Sequence, residues 1–328
     1  MVPELLLALS ALIATAPTAA EQPARTRTFG LECTTTVGPA AGGALELWVP
    51  VPHSDASQEI TAVEVETAYP YELLEGRYGN RMLHLRLAQP PAAGFSLTLR
   101  CRVTRLEHRN PLLPRAAMRK LPKPPPDPEL KRWLGPDRLV PLDDRIRLWA
   151  HEVVAKANAQ TDLEKARAVY EHVVSTVRYD KSGQGWGRGD IYYACDARRG
   201  NCTDFHAVFI GYCRALGIPA RFSIGLPLPA ERGTGEVKGY HCWAEFYTKQ
   251  TGWVPIDASE AAKNPDKRAY YFGTHDENRV EFSRGRDLVL TPAQQGEPLN
   301  YFVFPYAELG GKPYSGLSHQ YRYRDAAE

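Results

Sequence analysis

Between Thr26 and Arg109 apolar residues fall at every second position in short runs. Leu45-Glu46-Leu47-Trp48-Val49, Ile60-Thr61-Ala62-Val63-Glu64-Val65 and Met82-Leu83-His84-Leu85-Arg86-Leu87 are the clearest, and turn residues separate them, as at Tyr78-Gly79-Asn80. Short alternating strands divided by turns predict an antiparallel β-sandwich. The period then lengthens. Ile146, Trp149, Ala150, Val153 and Val154 recur at helical spacing, as do Ala166, Val169, Tyr170, Val173 and Val177 behind the capping candidates Thr161 and Asp162. Phe205, Val208, Phe209, Tyr212 and Leu216 predict another helix from about Thr203 to Leu216, stopped by Gly217 and Pro219. Alternation returns from Gly239 to Tyr247, Lys249-Gln250-Thr251-Gly252 makes a turn, and Trp253 to Asp257 comes back as a partner strand. The expected fold class is α+β.

Proline divides these halves. Asn110 to Pro141 is dense in it, with Lys123-Pro124-Pro125-Pro126-Asp127-Pro128 at the centre, and reads as an extended linker laid along the surface. At the other extreme, Leu5 to Ala16 is an apolar run shorter than a membrane span needs. It ends in Ala14-Thr15-Ala16 and Thr18-Ala19-Ala20, small-residue patterns that fit cleavage of an export signal. The stretch before it carries Glu4 and neither Lys nor Arg, so the signal is a weak one or the natural start lies upstream of Met1. The expected location is periplasmic or secreted. No other stretch approaches membrane length.

Charge and composition exclude several classes. A net charge of +2, with Lys and Arg dispersed, gives no clustered basic face for nucleic acid. The nine His lack the paired spacings of a zinc site, so no metal is expected. In an oxidising compartment some of the six Cys should pair. Cys33 and Cys101 both fall in phase with the apolar residues of their strands. A Cys33–Cys101 bridge would stabilise by roughly 4 kcal/mol; two buried free thiols are the alternative. How Cys195, Cys213 and Cys242 pair is left open.

The chemistry lies between Arg198 and Ser259. Gly200 and Asn201 are turn residues, which leaves Cys202 at a helix N-terminus. There the macrodipole and unsatisfied N–H groups favour a thiolate and can receive an oxyanion. The hairpin sets His241 and Asp257 at one open end, where Asp257 can orient the imidazole and His241 can take the thiol proton. Alternation sends Cys242 to the opposite face from His241, a poor position for a nucleophile. Asp204 reads as a first-turn charge, His206 as a surface or cap residue, and Tyr240 as core packing.

From Arg145 to about Ala261 the chain resembles the transglutaminase-like superfamily. Arg198-Arg199-Gly200-Asn201-Cys202-Thr203-Asp204-Phe205 is similar to its nucleophile turn, and Arg214-Ala215-Leu216-Gly217-Ile218-Pro219-Ala220-Arg221 to its helix exit. Tyr240-His241-Cys242-Trp243 and Gly252-Trp253-Val254-Pro255-Ile256-Asp257 resemble its His and Asp strands. Phe282-Ser283-Arg284-Gly285-Arg286-Asp287 and Asn300-Tyr301-Phe302-Val303-Phe304-Pro305-Tyr306 resemble the closing strands of secreted bacterial members. The resemblance implies a papain-like domain with a Cys202, His241, Asp257 triad, no organic cofactor, and acyl transfer through a thioester. It also implies an upstream side-chain donor to the oxyanion, for which Gln184 and Trp186 are candidates; lining the cleft is their alternative role.

The expected organisation is a signal over 1–20, a β-sandwich over 21–109, the linker over 110–141, the catalytic domain over 142–290, and C-terminal strands and tail over 291–328. The expected activity is hydrolysis of peptide or related amide bonds in a peptide or protein substrate. Joining of Gln to amines, and a non-catalytic interaction module, are the alternatives.

Overall fold

Strand β1 (Thr26–Val37) buries Phe29, Leu31, Cys33 and Val37 while most residues between them stay half-exposed or exposed, as alternation requires. The computed structural model describes residues 23–110 and 130–326. The export signal read in residues 1–20 and the proline-rich centre of the linker lie outside the described residues. Strands β2 (Leu45–Val51), β3 (Gln58–Glu66), β4 (Glu72–Glu75), β5 (Arg81–Leu87), β6 (Phe95–Leu106) and β7 (His108–Arg109) follow. Next come α1 (Asp144–Lys156), α2 (Asp162–Thr176), β8 (Arg178–Tyr179), α3 (Ile191–Ala197), β9 (Arg199–Gly200) and α4 (Cys202–Ala215). The chain closes with β10 (Ala220–Pro227), β11 (Thr234–Val237), β12 (His241–Thr248), β13 (Gly252–Ile256), α5 (Ala258–Lys263), β14 (Thr274–His275), β15 (Arg279–Arg284), β16 (Tyr306–Leu309), β17 (Lys312–Pro313) and β18 (Leu317–Asp325).

Two five-stranded sheets, ordered β11-β18-β1-β6-β3 and β17-β16-β2-β5-β4, form the sandwich. Its strands therefore come from both ends of the chain. Within the stretch 291–328, expected as strands and a tail following the catalytic domain, two strands return to the sandwich: β18 lines β1, with Cys33 opposite Tyr321, and β16 lines β2. Without them the edges of β1 and β2 would present unpaired backbone groups. The segment from Leu288 to Phe302 covers the outer face of β2, where Trp48 is fully buried and its indole donates to Pro292 O at 3.0 Å.

The proposed Cys33–Cys101 bridge is absent, and both are buried free thiols. Register is the reason. Cys33 faces Leu99 and Cys101 faces Leu31, so the two cysteines are diagonal neighbours rather than a direct pair. Diagonal positions lie about 7–8 Å apart, beyond the usual span of a disulfide.

Residues 130–141 of the linker are docked rather than laid over the surface. Trp133 and Val140 are buried, and Asp137 accepts from Arg132 and from the buried Arg214, both at 2.6 Å. Arg214 also donates to Gly135 O and Ala220 O, which ties this segment to the end of α4.

A four-stranded sheet, β13-β12-β10-β15, is antiparallel throughout and packs on α4. All of α4 is buried, surrounded by α1, α2, α3, α5 and β12. Thr161 caps α2 with the full reciprocal box to Glu164. No helix among the described residues is long and apolar enough to cross a membrane.

Candidate active site

Cys202 is the first residue of α4. Asn201 caps the helix by accepting from Thr203 N at 3.0 Å, and Asp204 returns the bond by accepting from Asn201 N at 2.9 Å. Gly200 permits this turn, since a Cβ there would lie 2.2 Å from Asp204 Oδ2. Asp204 is more than the first-turn charge expected of it. It is fully buried and also accepts from Gly187 N at 2.7 Å and Gly189 N at 3.0 Å, so one carboxylate holds both the nucleophile turn and the glycine-rich loop. The Cys202 main-chain N–H has no hydrogen-bond partner among the described residues.

His241 opens β12 and Asp257 follows β13, and the hairpin brings them together. His241 Nε2 donates to Asp257 Oδ2 at 2.7 Å. That leaves Nδ1 free of the carboxylate, and the His241 ring and Cys202 thiol lie near enough to shift each other's pKa. Asp257 is fully buried and satisfied on both oxygens. Oδ1 accepts from Ser259 Oγ and Glu260 N, capping α5, while Oδ2 also accepts from Arg279 at 3.0 Å. Arg279 is itself buried, braced by Asp276 and lying 4.8 Å over the Trp243 ring.

Burial alone would push the Cys202 thiol up. Hydrogen bonds from Cys242 and His241, with the charge of His241, outweigh it and hold the thiol well below its ordinary value. Burial likewise pulls His241 down, yet the Asp257 charge and hydrogen bond, with Cys202, push it up to about 10. Asp257 is held well below the carboxylate range despite burial, by the charge and hydrogen bond of His241 and by Arg279. All three shifts run in the direction that favours a thiolate, an imidazolium and a carboxylate.

His206 is a correction. It is buried, not a surface residue: Nδ1 donates to Cys202 O at 2.7 Å, and Nε2 accepts from Ala258 N at 3.2 Å. It thus bridges the nucleophile turn and the residue after Asp257. Burial first of all keeps its pKa low, consistent with a neutral ring. Its one sequence signal is the four-residue step from Cys202 along a wholly buried helix. Cys242 also lies closer to the chemistry than alternation implies. Its sulfur is 3.5 Å from His206 Nδ1 and within reach of the Cys202 thiol, and burial pushes its own pKa well up.

Gln184 and Trp186 stand differently in the glycine-rich loop. The Trp186 indole N–H is engaged by Gly183 O at 3.1 Å, and Gln184 is exposed without a hydrogen bond among the described residues. Tyr240 packs against Tyr301 and Phe304, as a core aromatic would, but its hydroxyl also accepts from Asn201 Nδ2 at 3.0 Å.

Among the described residues, His53, Asp55 and Glu281 lie close enough to share an ion, their ligand atoms within 4.8 Å of one another. Arg284 already bridges both carboxylates, at 3.2 and 2.7 Å, which supplies the charge a cation would bring. A cavity of about 710 Å³ lies elsewhere, lined by Trp149, His172, Cys195 and Tyr212, and none of Cys202, His241 or Asp257 borders it.

Residues 148–258 match the core of the transglutaminase-like superfamily. Over 309 residues the chain is 29% identical to an uncharacterized protein of Haemophilus influenzae, covering 83% of this chain and 82% of that one. Its fold is similar to that of a candidate cysteine protease from Cytophaga hutchinsonii, with a TM-score of 0.60 and 15% identity over 93% of this chain and 94% of the other.

Proposed function

Residues 148–258 form a transglutaminase-like superfamily domain, and from that premise we propose that this protein is a thiol acyl-transfer enzyme that hydrolyses peptide or related amide bonds. One observation carries the reading. His241 is shared between Asp257, at 2.7 Å, and the thiol of Cys202, at the start of a buried helix.

The Cys202 thiolate attacks the amide carbonyl carbon, forming a C–S bond and placing the electron pair on oxygen. The free Cys202 N–H, at the positive end of α4, receives that oxyanion. His241 gives its Nδ1 proton to the leaving amine, the C–N bond breaks, and a thioester remains. Neutral His241 then takes a proton from water, which attacks the thioester; the acid leaves, and the ion pair is restored. Asp257 holds the imidazole with Nε2–H bound and Nδ1 free, while Arg279 and the α5 cap hold Asp257. Cys242 donates to the thiolate and is kept protonated by burial, so it supports the nucleophile without replacing it.

The test is cleavage of a peptide library, followed by mass spectrometry, with Cys202→Ala and His241→Ala alongside. Cleavage lost in both variants, with a transient acyl group on Cys202, supports the reading. A labelled amine added to the same reactions separates water from amine as acceptor. A folded protein that neither cleaves nor acquires an acyl group, and whose Cys202 resists iodoacetamide, would overturn it.

A further inference from the structure

Tyr179 ends β8 and lies opposite Gly200 in register, two residues before Cys202. Its ring packs on Phe205 of α4 at 6.1 Å, close enough to Cys202 to feel that thiol's charge. Two ammonium groups reach the same ring, Lys181 Nζ at 5.8 Å and Lys263 Nζ at 4.8 Å from its centre. Lys181 also stands 6.0 Å from the Trp186 ring.

The two lysines differ in what they hold. Lys263 pairs with Glu260, whose Oε1 lies 3.8 Å from His241 Nε2. Lys181 is exposed and makes no ion pair among the described residues. Near them, Arg178 and Arg199 share Asp180. Around Tyr179 four cations, Arg178, Lys181, Arg199 and Lys263, thus stand against two carboxylates, Asp180 and Glu260. The whole chain carries a net charge of only +2, so the local surplus does not simply follow from a basic protein. The cluster that meets Asn201 from Tyr240, with Tyr301 and Phe304, is aromatic. An exposed cation–π contact is worth only about 0.5–1 kcal/mol. It positions the Lys181 ammonium over a low-dielectric surface without using up its hydrogen-bond donors.

We propose that Lys181, held over Tyr179 with Trp186 and Lys263 beside it, forms a carboxylate-binding subsite at the mouth of the Cys202 cleft, so that substrates carry an acidic group next to the reacting amide. This rests on the thiol-enzyme reading and narrows its substrate class. The carboxylate belongs either to an acidic side chain or to a chain terminus.

The experiment measures alkylation of Cys202 in the full chain by iodoacetate and by iodoacetamide, which differ in charge and little in size. The ratio of their rates should fall about three- to fivefold in Lys181→Ala, the effect of one partly screened charge, and further in Lys181→Glu. Lys181→Arg should retain it, and added salt should erode it. Bromoacetyl-Gly-Glu amide against bromoacetyl-Gly-Gln amide, and bromoacetyl-Gly-Gln acid against its amide, then assign the side chain or the terminus as the group preferred. A ratio indifferent to Lys181→Ala, Lys181→Glu and salt overturns the subsite while leaving the reactive thiol standing. A Cys202 that reacts with neither reagent overturns the thiol-enzyme reading itself, and the subsite with it.

Discussion

Arg279 donates to Asp257 Oδ2 at 3.0 Å, the same oxygen that accepts from His241. Both side chains are buried, so each compensates the other's charge. Arg279→Met should destabilise the fold by about 3–5 kcal/mol, because breaking a buried pair leaves one charge uncompensated. Arg279→Lys should recover part of that. Urea denaturation is the measurement, and a loss under about 1 kcal/mol would show that His241 or solvent compensates Asp257 without the arginine.

The charge state of Cys202 predicts an unusual pH profile. Its thiol is held well below the ordinary value of about 8.5, and His241 stays protonated up to about 10. Iodoacetamide labelling at pH 6 should therefore stay within about threefold of the rate at pH 8, where an ordinary thiol slows by well over tenfold. His241→Ala should restore the steep dependence. Amide turnover should decline as pH rises through about 10, where the imidazolium that protonates the leaving amine is lost.

His206 joins Cys202 O to Ala258 N through its two ring nitrogens. His206→Leu fills the space but leaves Ala258 N buried and unpaired, at about 1–3 kcal/mol, while Cys202 O keeps only its helical partner. His206→Gln can restore one bond and should be milder. If the bridge aligns the two halves of the site, kcat should fall in His206→Leu while KM changes little. Equal kinetics in both variants would reduce His206 to a packing residue.

Asp204 gathers the N–H groups of Gly187, Gly189 and Asn201. Asp204→Ala should speed amide exchange across residues 183–189 while the exchange of β1 and β6 stays unchanged. Gly200→Ala should act at the same joint, since its Cβ would meet the Asp204 carboxylate at 2.2 Å. Unchanged exchange in the loop would mean that other contacts hold it.

His275 is buried, donates to Ile256 O at 3.0 Å, and is kept well below its ordinary pKa by burial and by Arg279 and His108. A His with a lowered folded pKa contributes stability that is complete above about 6.5 and declines as pH falls below it. Stability should therefore drop between pH 6.5 and 5, and His275→Gln should flatten that slope even if it costs some stability at pH 7. Parallel slopes would assign the acid sensitivity to other groups, such as the buried His53 and the half-buried His108.

The amino-acid sequence by itself determined the elements that carry the candidate site. A buried stripe on α4, a Gly-Asn turn ahead of Cys202, and a hairpin with His241 and Asp257 at its open end are short-range patterns, set by side-chain period and turn chemistry within about twenty residues. What only the tertiary structure decided joins residues far apart in the chain. Arg279 reaches Asp257 from a later strand, His206 meets Ala258 across 52 positions, and Asp325 pairs with Arg27 where the last strand completes the first sheet. The fate of Cys33 and Cys101 turned on a two-residue offset in register that alternation does not encode. Period tells which way a side chain points along its own element; which group it finds there depends on how separate elements pack, and that follows from burial summed over the whole core.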